Sequence, residues 1–302
     1  MKAVVLHEYG GPEQLKFEET DMPAYGADEV LVRMKATSIN PIDWKLRSGA
    51  AKARFPLKLP AILGRDLCGE ISAVGSSVTE FTKGARVIAL ANGTYAEYAV
   101  AKAEILARIP DSMTFEQAAA LPLVTTTGTQ LIERAVKPKE GQRVLVTGAL
   151  GGVGRTAIHV ARQHGAYVLA GVRLHEKEEA GSLGAHEVVA IDDPYGISEL
   201  HDLDAIADTV GGTTIQQLYK ALRKGGVIGS VLGEPAGAKE QGIRVEAFSA
   251  LPDGPRLAEL AHDAAQGQFT IPIARKMKLA EIQEAQRLAE KGGVGGKIIL
   301  IP

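Results

Sequence analysis

The sequence predicts an α/β protein in which a β-rich domain accompanies a doubly wound parallel-sheet domain, and three observations predict it. Short β-like runs broken by Gly and Pro clusters fill roughly the first 120 residues. From Arg143 the pattern becomes strand, glycine loop, helix and strand, which is a βαβ unit. The 302 residues are 45% hydrophobic but only 5% aromatic, so a large core can be built mainly from aliphatic side chains.

In chain order, strands are expected over 3–6, 29–36, 68–74, 86–90 and 95–101. Gly10-Gly11-Pro12, Pro23, Gly26, Pro56, Pro60, Gly64, Gly75, Gly84 and Gly93 separate them, the punctuation of an antiparallel domain. After Pro110 the style changes. Thr114-Phe115-Glu116-Gln117 reads as a capping box opening a short helix that Pro122 ends, and 126–136 reads as a longer helix. A short apolar strand at 143–147 leads to a helix at 153–164, with Val153, Ala157, Val160 and Ala161 on one face and Gly165 as its stop; 166–172 is a strand again. Further strands are expected at 187–191, 205–210 and 226–232, with a helix over 214–224. Two helices, near 255–266 and 279–291, precede a final strand at 297–301.

Composition removes several functions. Lys plus Arg number 34 against 36 Asp plus Glu, a formal charge of -2, so the basic footprint of nucleic-acid binding is missing. No run approaches the ~18 to 20 apolar residues of a membrane span, and the first apolar run is too short for an export signal. No membrane association and a cytoplasmic location are therefore expected. One cysteine, Cys68, allows neither an intrachain disulfide nor a Cys-rich zinc lobe, and it is expected to be a buried filler. The seven histidines show no HxxxH or HxH spacing, so no metal site is expected.

Gly148, Ala149, Leu150, Gly151, Gly152, Val153 and Gly154 lie between the strand at 143–147 and the next helix. Glycines there let backbone approach a pyrophosphate, while the helix N-terminus offers unpaired N–H groups and a partial positive charge. The strict GxGxxG string fails because its first position falls on Ala149; the alternative is a tight turn and nothing more. A Walker A loop is excluded, since Ala149 and Arg155 stand where it needs Gly and Lys. The second strand ends at Gly171-Val172-Arg173, without the carboxylate that would hold the ribose hydroxyls of NAD. Arg173 can instead pair with a 2′-phosphate, assisted by Lys177, which points to NADPH. The alternative for both is a solvated surface charge.

These residues, with Asn40-Pro41-Ile42-Asp43-Trp44-Lys45-Leu46-Arg47-Ser48-Gly49, Leu63-Gly64-Arg65-Asp66-Leu67-Cys68-Gly69-Glu70, Ala73-Val74-Gly75, Lys83-Gly84-Ala85-Arg86-Val87, Ala119-Ala120-Leu121-Pro122-Leu123, Asp208-Thr209-Val210-Gly211-Gly212 and Gly296-Lys297-Ile298-Ile299-Leu300, carry a resemblance. Over nearly its full length the chain resembles the medium-chain dehydrogenase/reductase superfamily in its zinc-free quinone oxidoreductase branch. The resemblance implies a GroES-like catalytic domain over 1–122 and 265–302, a Rossmann domain for NADPH over 123–264, and an active site in the cleft. Zinc alcohol dehydrogenases of the superfamily place a Cys or Asp ligand near 38–40 and a His-Glu pair after the Gly64 position. Here Ser38 and Arg65-Asp66 stand instead. Without a Lewis acid, the chemistry implied is hydride transfer to an already electrophilic small molecule, a quinone, enone or enal.

The NPxDxKxRxG form of 40–49 is most similar to the alkenal and enone reductases and the reticulon-interacting oxidoreductases. It implies that Asn40 hydrogen-bonds substrate or nicotinamide, and that Lys45 stabilises an enolate oxygen as hydride reaches the β-carbon. The alternative for Lys45 is a solvated amine. Asp43 either orients Lys45 or forms a structural ion pair with Arg47, and Trp44 is core, interface or substrate platform. Thr127 matches the threonine beside the nicotinamide ribose, and is alternatively a helix N-cap. Val231 and Gly233 match backbone that meets the carboxamide. Ile191 stands where the family often has a Tyr on the 2′-phosphate, and Ala50-Ala51 where a second Tyr is common. The resemblance further implies a homodimer joined through sheet edges near 226–233. Two other readings compete: an NADPH-binding sensor or scaffold with negligible turnover, and an enoyl reductase-type domain.

Overall fold

The computed structural model describes all residues from Met1 to Pro302. Two compact units emerge, one made of 1–126, 251–267 and 271–302, the other of 127–250 and 268–270. Against the expected 122/123 division, the change of unit comes at 126/127. The helix Gly254–Ala265 belongs to the first unit and not, as expected, to the second. Its Leu257 and Ala261 are buried with Ala107, Ile109 and Leu121, which fixes the allegiance.

The first unit is built on a seven-stranded sheet. Ile273–Lys278, Lys297–Ile301, Glu29–Ser38, Asp66–Val74, Arg86–Leu90 and Ala107–Arg108 lie side by side, and Tyr98–Lys102 also pairs with Glu29–Ser38. Only the pair of Ile273–Lys278 with Lys297–Ile301 is parallel. Alternate residues Val30, Val32 and Met34 enter one core with Leu67, Ile71 and Val87, as the two-residue period of a strand requires. Lys297–Ile301 serves two cores: Ile298 and Leu300 join Val4, Leu6 and Tyr95, while Ile299 joins Ala36 and Cys68 on the other face. A smaller sheet, Leu15–Glu19, Lys2–Leu6 and Ala61–Ile62, completes the unit.

The capping box at Thr114 forms: its hydroxyl accepts from the Gln117 N–H at 3.2 Å, and Gln117 Oε1 accepts from the Thr114 N–H at 2.9 Å. The helix Phe115–Ala119 stops before Pro122 as expected. Pro122 then opens the next helix, Pro122–Gln130, four residues ahead of the expected start, because its fixed φ and missing N–H suit the first helical turn. A π-helical stretch, Leu131–Val136, continues it.

The second unit is a six-stranded sheet, parallel throughout, in the order Glu187–Ala190, Tyr167–Val172, Arg143–Thr147, Leu203–Asp208, Leu222–Ser230, Arg244–Ala247. The winding reverses between Arg143–Thr147 and Leu203–Asp208, so a crevice is expected beyond their carboxyl ends. The expected helix over 214–224 is shorter, Gly212–Gln217 with a 3-10 turn Tyr219–Ala221, because Leu222 already pairs with Leu203. Arg244–Ala247 is a strand the sequence reading missed; two of its four residues are charged and it buries none. Its presence makes Leu222–Ser230 an interior strand, so residues 226–230 border no sheet edge, contrary to expectation. No helix is long and apolar enough to cross a membrane.

Candidate active site

In the first unit the strand Glu29–Ser38 delivers the chain to Asn40-Pro41, a helix-starting pair, and the short helix Pro41–Arg47 follows. Asn40, Asp43 and Arg47 are buried while Lys45 is exposed. The Asn40 amide is held at both ends: Nδ2 donates to Asp66 at 2.7 Å, and Oδ1 accepts from Lys297 Nζ at 2.6 Å. Lys297, 8% exposed, also donates to the Ile39 carbonyl and lies 3.3 Å from Asp66. Asp66, fully buried, additionally accepts from the Ser38 hydroxyl and, at 2.7 Å, from the Leu123 N–H. Ser38 and Asp66, at the positions where zinc relatives carry ligands, are thus bonded to each other. No cluster of three or more His, Cys, Asp or Glu with metal-holding geometry exists in the chain.

Asp43 departs from both expected roles. Its Oδ2 accepts from the Asn40 N–H at 2.8 Å and the Tyr95 hydroxyl at 2.7 Å. Arg47 turns instead to Gln286, Glu290 and the Gly10 carbonyl, at 2.8, 2.8 and 3.1 Å. The expected Asp43–Arg47 pair therefore does not form: each has better-placed partners across the fold. Nor does Asp43 touch Lys45, which extends from the exposed side of the helix. Burial raises the Asp43 carboxyl to about 6, with Asp66 adding to the effect and the Tyr95 and Asn40 hydrogen bonds opposing it. Trp44 is half-buried against the cluster of Leu6, Ile39 and Leu63. Cys68 is fully buried, as expected; its Sγ donates to the Phe115 carbonyl, and burial pushes the thiol up.

In the second unit the glycine loop forms between Arg143–Thr147 and the helix Gly152–Gln163. Gly148, with φ +60°, makes the turn, whereas Ala149 has no positive φ and so accepts a Cβ; it is fully buried, its N–H bonded to the Gly171 carbonyl at 3.1 Å. A Cβ on Gly154 would lie 2.8 Å from the Ala149 Cα and closer still to the Gly148 carbonyl oxygen, so only glycine lets the helix seat against the loop. Gly151, the N-cap, has no side chain to satisfy the first-turn N–H groups, Gly152 and Val153 among them. Arg155, where a P-loop has Lys, turns back to the Leu150 carbonyl at 2.9 Å and pairs with Glu179. An uncapped helix end beside a glycine cradle fits a pyrophosphate.

At the end of Tyr167–Val172, Arg173 is 67% exposed with its guanidinium 4.0 Å from Glu176, and Lys177 is exposed at the start of Lys177–Ala180. The reading that no carboxylate is available here needs correction. Glu176 Oε2 accepts from the Arg173 N–H at 3.0 Å, and Asp192, arriving after the third strand, accepts from the Leu174 N–H at 2.7 Å. Thr127 lies inside Pro122–Gln130 and so is no N-cap. Val231 and Gly233, with φ +106° at Gly233, follow the strand Leu222–Ser230, and the Val231 N–H reaches the Asp208 carbonyl at 3.3 Å.

Sequence reasoning singled out neither Asp66, Lys297 and Tyr95 nor Asp208 as site residues. Asp66 and Lys297 lie 231 residues apart, so no local spacing announces their meeting. Asp208 does leave a signal, a carboxylate closing the apolar run Ala205-Ile206-Ala207.

The alcohol dehydrogenase GroES-like domain family matches residues 26–111, and the zinc-binding dehydrogenase family matches residues 183–300. A chloroplastic quinone-oxidoreductase homolog of Spinacia oleracea is 34% identical over 66% of this chain, which spans 63% of that relative's length. The mitochondrial NAD(P)H oxidoreductase RTN4IP1 of Mus musculus is 30% identical over 99% of this chain and 89% of its own. Among solved structures, the quinone oxidoreductase of Coxiella burnetii superposes with TM-score 0.90 at 30% identity, covering 100% of this chain and 99% of that one. The Escherichia coli quinone oxidoreductase, solved in complex with NADPH, gives TM-score 0.87 at 27% identity with 100% of both chains covered.

Proposed function

Since the chain belongs to the quinone oxidoreductase branch of the medium-chain dehydrogenase/reductase superfamily, we propose that it is an NADPH-dependent, zinc-independent oxidoreductase. Its acceptor would be a quinone or an α,β-unsaturated carbonyl. The observation that carries this reading is the glycine loop: a fully buried Ala149, a Gly154 that no side chain can replace, and a helix end left without a cap. NADPH, when bound, supplies hydride from its nicotinamide ring.

The residues divide the work. The N–H groups of Gly152, Val153 and Gly154 hold the pyrophosphate, and Gly148, Ala149 and Gly151 shape the cradle. Arg173, assisted by Lys177, pairs with the 2′-phosphate, in competition with Glu176. Thr127 holds the nicotinamide ribose, and backbone at Val231 and Gly233 meets the carboxamide. Lys45 stabilises negative charge developing on the acceptor oxygen. Asn40 and Asp43 order the start of the Lys45 helix, Asn40 through Asp66 and Lys297, Asp43 through Tyr95. Zinc independence is supported by Ser38 and Asp66, whose oxygens are spent on each other, on Asn40 and on an ammonium group.

Oxidation of NADPH, followed by its near-ultraviolet absorbance with a panel of quinones, enals and enones, tests the reading; activity should persist after chelation. Stoichiometric zinc lost together with activity would overturn the zinc-free assignment. One observation favours the sensor or scaffold reading: the Asn40 amide is held at both ends by partners within the protein. NADPH binding without turnover on any acceptor would select it. We further propose a homodimer, with Arg244–Ala247, one of the two edge strands of the sheet, at its contact, to be checked by sedimentation.

A further inference from the structure

The motif Asp208-Thr209-Val210-Gly211-Gly212 has no role in the division of work above, yet its first residue sits at the most demanding place in the second unit. Asp208 and Thr147 are the last residues of the two strands between which the winding of the sheet reverses. Open parallel sheets bind their ligands just beyond such a point. Asp208, Thr147 and Ser230 are all fully buried.

The Asp208 carboxylate draws three strand ends together. Oδ1 accepts from the Thr147 hydroxyl at 3.0 Å, the Val210 N–H at 3.1 Å and the Gly211 N–H at 3.0 Å. Oδ2 accepts from the Ser230 hydroxyl at 3.3 Å. The two hydroxyls then accept in their turn: Thr147 from the Thr209 N–H at 2.9 Å, and Ser230 from the Leu232 N–H at 3.1 Å. Gly211, at φ +68°, takes a backbone conformation that lets its N–H turn back to the acid. The turn so formed abuts the glycine loop, since a Cβ on Gly148 would lie 2.5 Å from Thr209 Oγ1. Beside it, Val210 and Leu232 remain exposed although apolar, at 45% and 46%.

We propose that Asp208 is a positioning residue for the nicotinamide end of the cofactor. Resting on the NADPH reading above, the inference is that this one carboxylate fixes the backbone of 209–211 and 230–232 relative to the glycine loop. It thereby holds Val231 and Gly233, and the apolar pair Val210 and Leu232, where a flat, partly apolar ring can lie. The pyrophosphate and adenosine ends are held by the N–H groups of 152–154 and by Arg173, none of which bonds to Asp208.

The test compares two ligands by calorimetry: NADPH, and 2′-phospho-ADP-ribose, which lacks the nicotinamide. In Asp208→Ala, NADPH affinity should fall by about tenfold or more, the size of losing one or two hydrogen bonds to a charged acceptor, while affinity for 2′-phospho-ADP-ribose should stay within about threefold. Asp208→Asn should recover most of the loss, because Oδ1 still accepts both N–H groups and the amide can donate to Ser230. Should Asp208→Ala fail to fold, Ser230→Ala, which removes only the Oδ2 tie and the Leu232 acceptor, should show the same split in smaller measure. Equal loss of both ligands in any folded variant, or loss of neither, overturns the assignment of Asp208 alone. Wild-type protein that binds neither ligand overturns the cofactor reading itself, and this inference with it.

Discussion

Asp66 and Asp208 are both fully buried carboxylates, one in each unit, and opposite means keep them there. Asp66 meets an ammonium group, Lys297, carried in on a strand 231 residues later. Asp208 meets no cation; hydroxyls and backbone N–H groups surround it. The first arrangement neutralises charge across the fold, so its loss is felt in stability. The second spreads charge over the dipoles of nearby turns, so its loss is felt in local shape. A buried acid therefore has no fixed meaning: its partners decide whether it secures a core or sets a site.

The largest expected effect breaks the charge balance of the first unit. Lys297→Met leaves Asp66 uncompensated and should cost about 3 to 5 kcal/mol in urea unfolding, with much of it restored by adding Asp66→Asn. A loss below about 1 kcal/mol would mean that Asp66 is satisfied by neutral donors after all, as Asp208 is.

Next in size is a pH dependence confined to the first unit. Asp43 holds its proton up to about 6 against an ordinary 3.8. The folded state thus binds the proton more tightly than the unfolded one. The resulting stability, about 3 kcal/mol, is fully present below about pH 4 and is lost as pH rises through about 6. Asp43→Asn should flatten that part of the stability profile, measured by urea titrations at stepped pH. An unchanged slope between wild type and variant would place the titration elsewhere.

Arg173 sharpens the comparison from the solvent side. Arg173→Ala should weaken NADPH by roughly tenfold to a hundredfold and spare NADH, and because the side chain is exposed the difference should shrink with added salt. Equal affinity of the wild type for the two cofactors would remove the role. The smallest effect is expected at Lys45, an exposed cation of the first unit. Lys45→Ala should lower kcat on enones by at least about tenfold without changing NADPH affinity, and quinones should suffer less. Wild-type kcat on short enals, or lost cofactor binding, would return Lys45 to a surface charge.

Much of the architecture was legible in the sequence because it is written in local pattern. The final strand Lys297–Ile301 and Arg86–Leu90 fall where expected, and so does the βαβ unit around the glycine loop to within a residue or so. What failed was of two kinds. Leu15–Glu19 and Arg244–Ala247 are partly or wholly exposed strands with charged residues, and they carry too little apolar alternation to be seen. The helix Pro41–Arg47 announced itself through Asn40-Pro41 and an acid at the third helical position, a start signal that went unread. The glycine loop could be read as a site because its chemistry is contiguous. Asp66, Lys297 and Tyr95 could not, since their partners come from strands far apart in the chain. The expected pair of Asp43 with Arg47 fails because Tyr95 and Glu290, far along the chain, take each of them away.

The strand Lys297–Ile301 carries one more consequence, in time. It lies between Ile273–Lys278 and Glu29–Ser38 and supplies the ammonium that meets Asp66. During synthesis every residue of the inserted unit leaves the ribosome before this strand does. The second unit can close as soon as residue 270 is out, whereas 1–126 must wait, its central sheet lacking Ile273–Lys278 and Lys297–Ile301 and its acid unanswered, until residue 301 has emerged. Domains usually fold in the order in which they are made; here the part begun first is finished last.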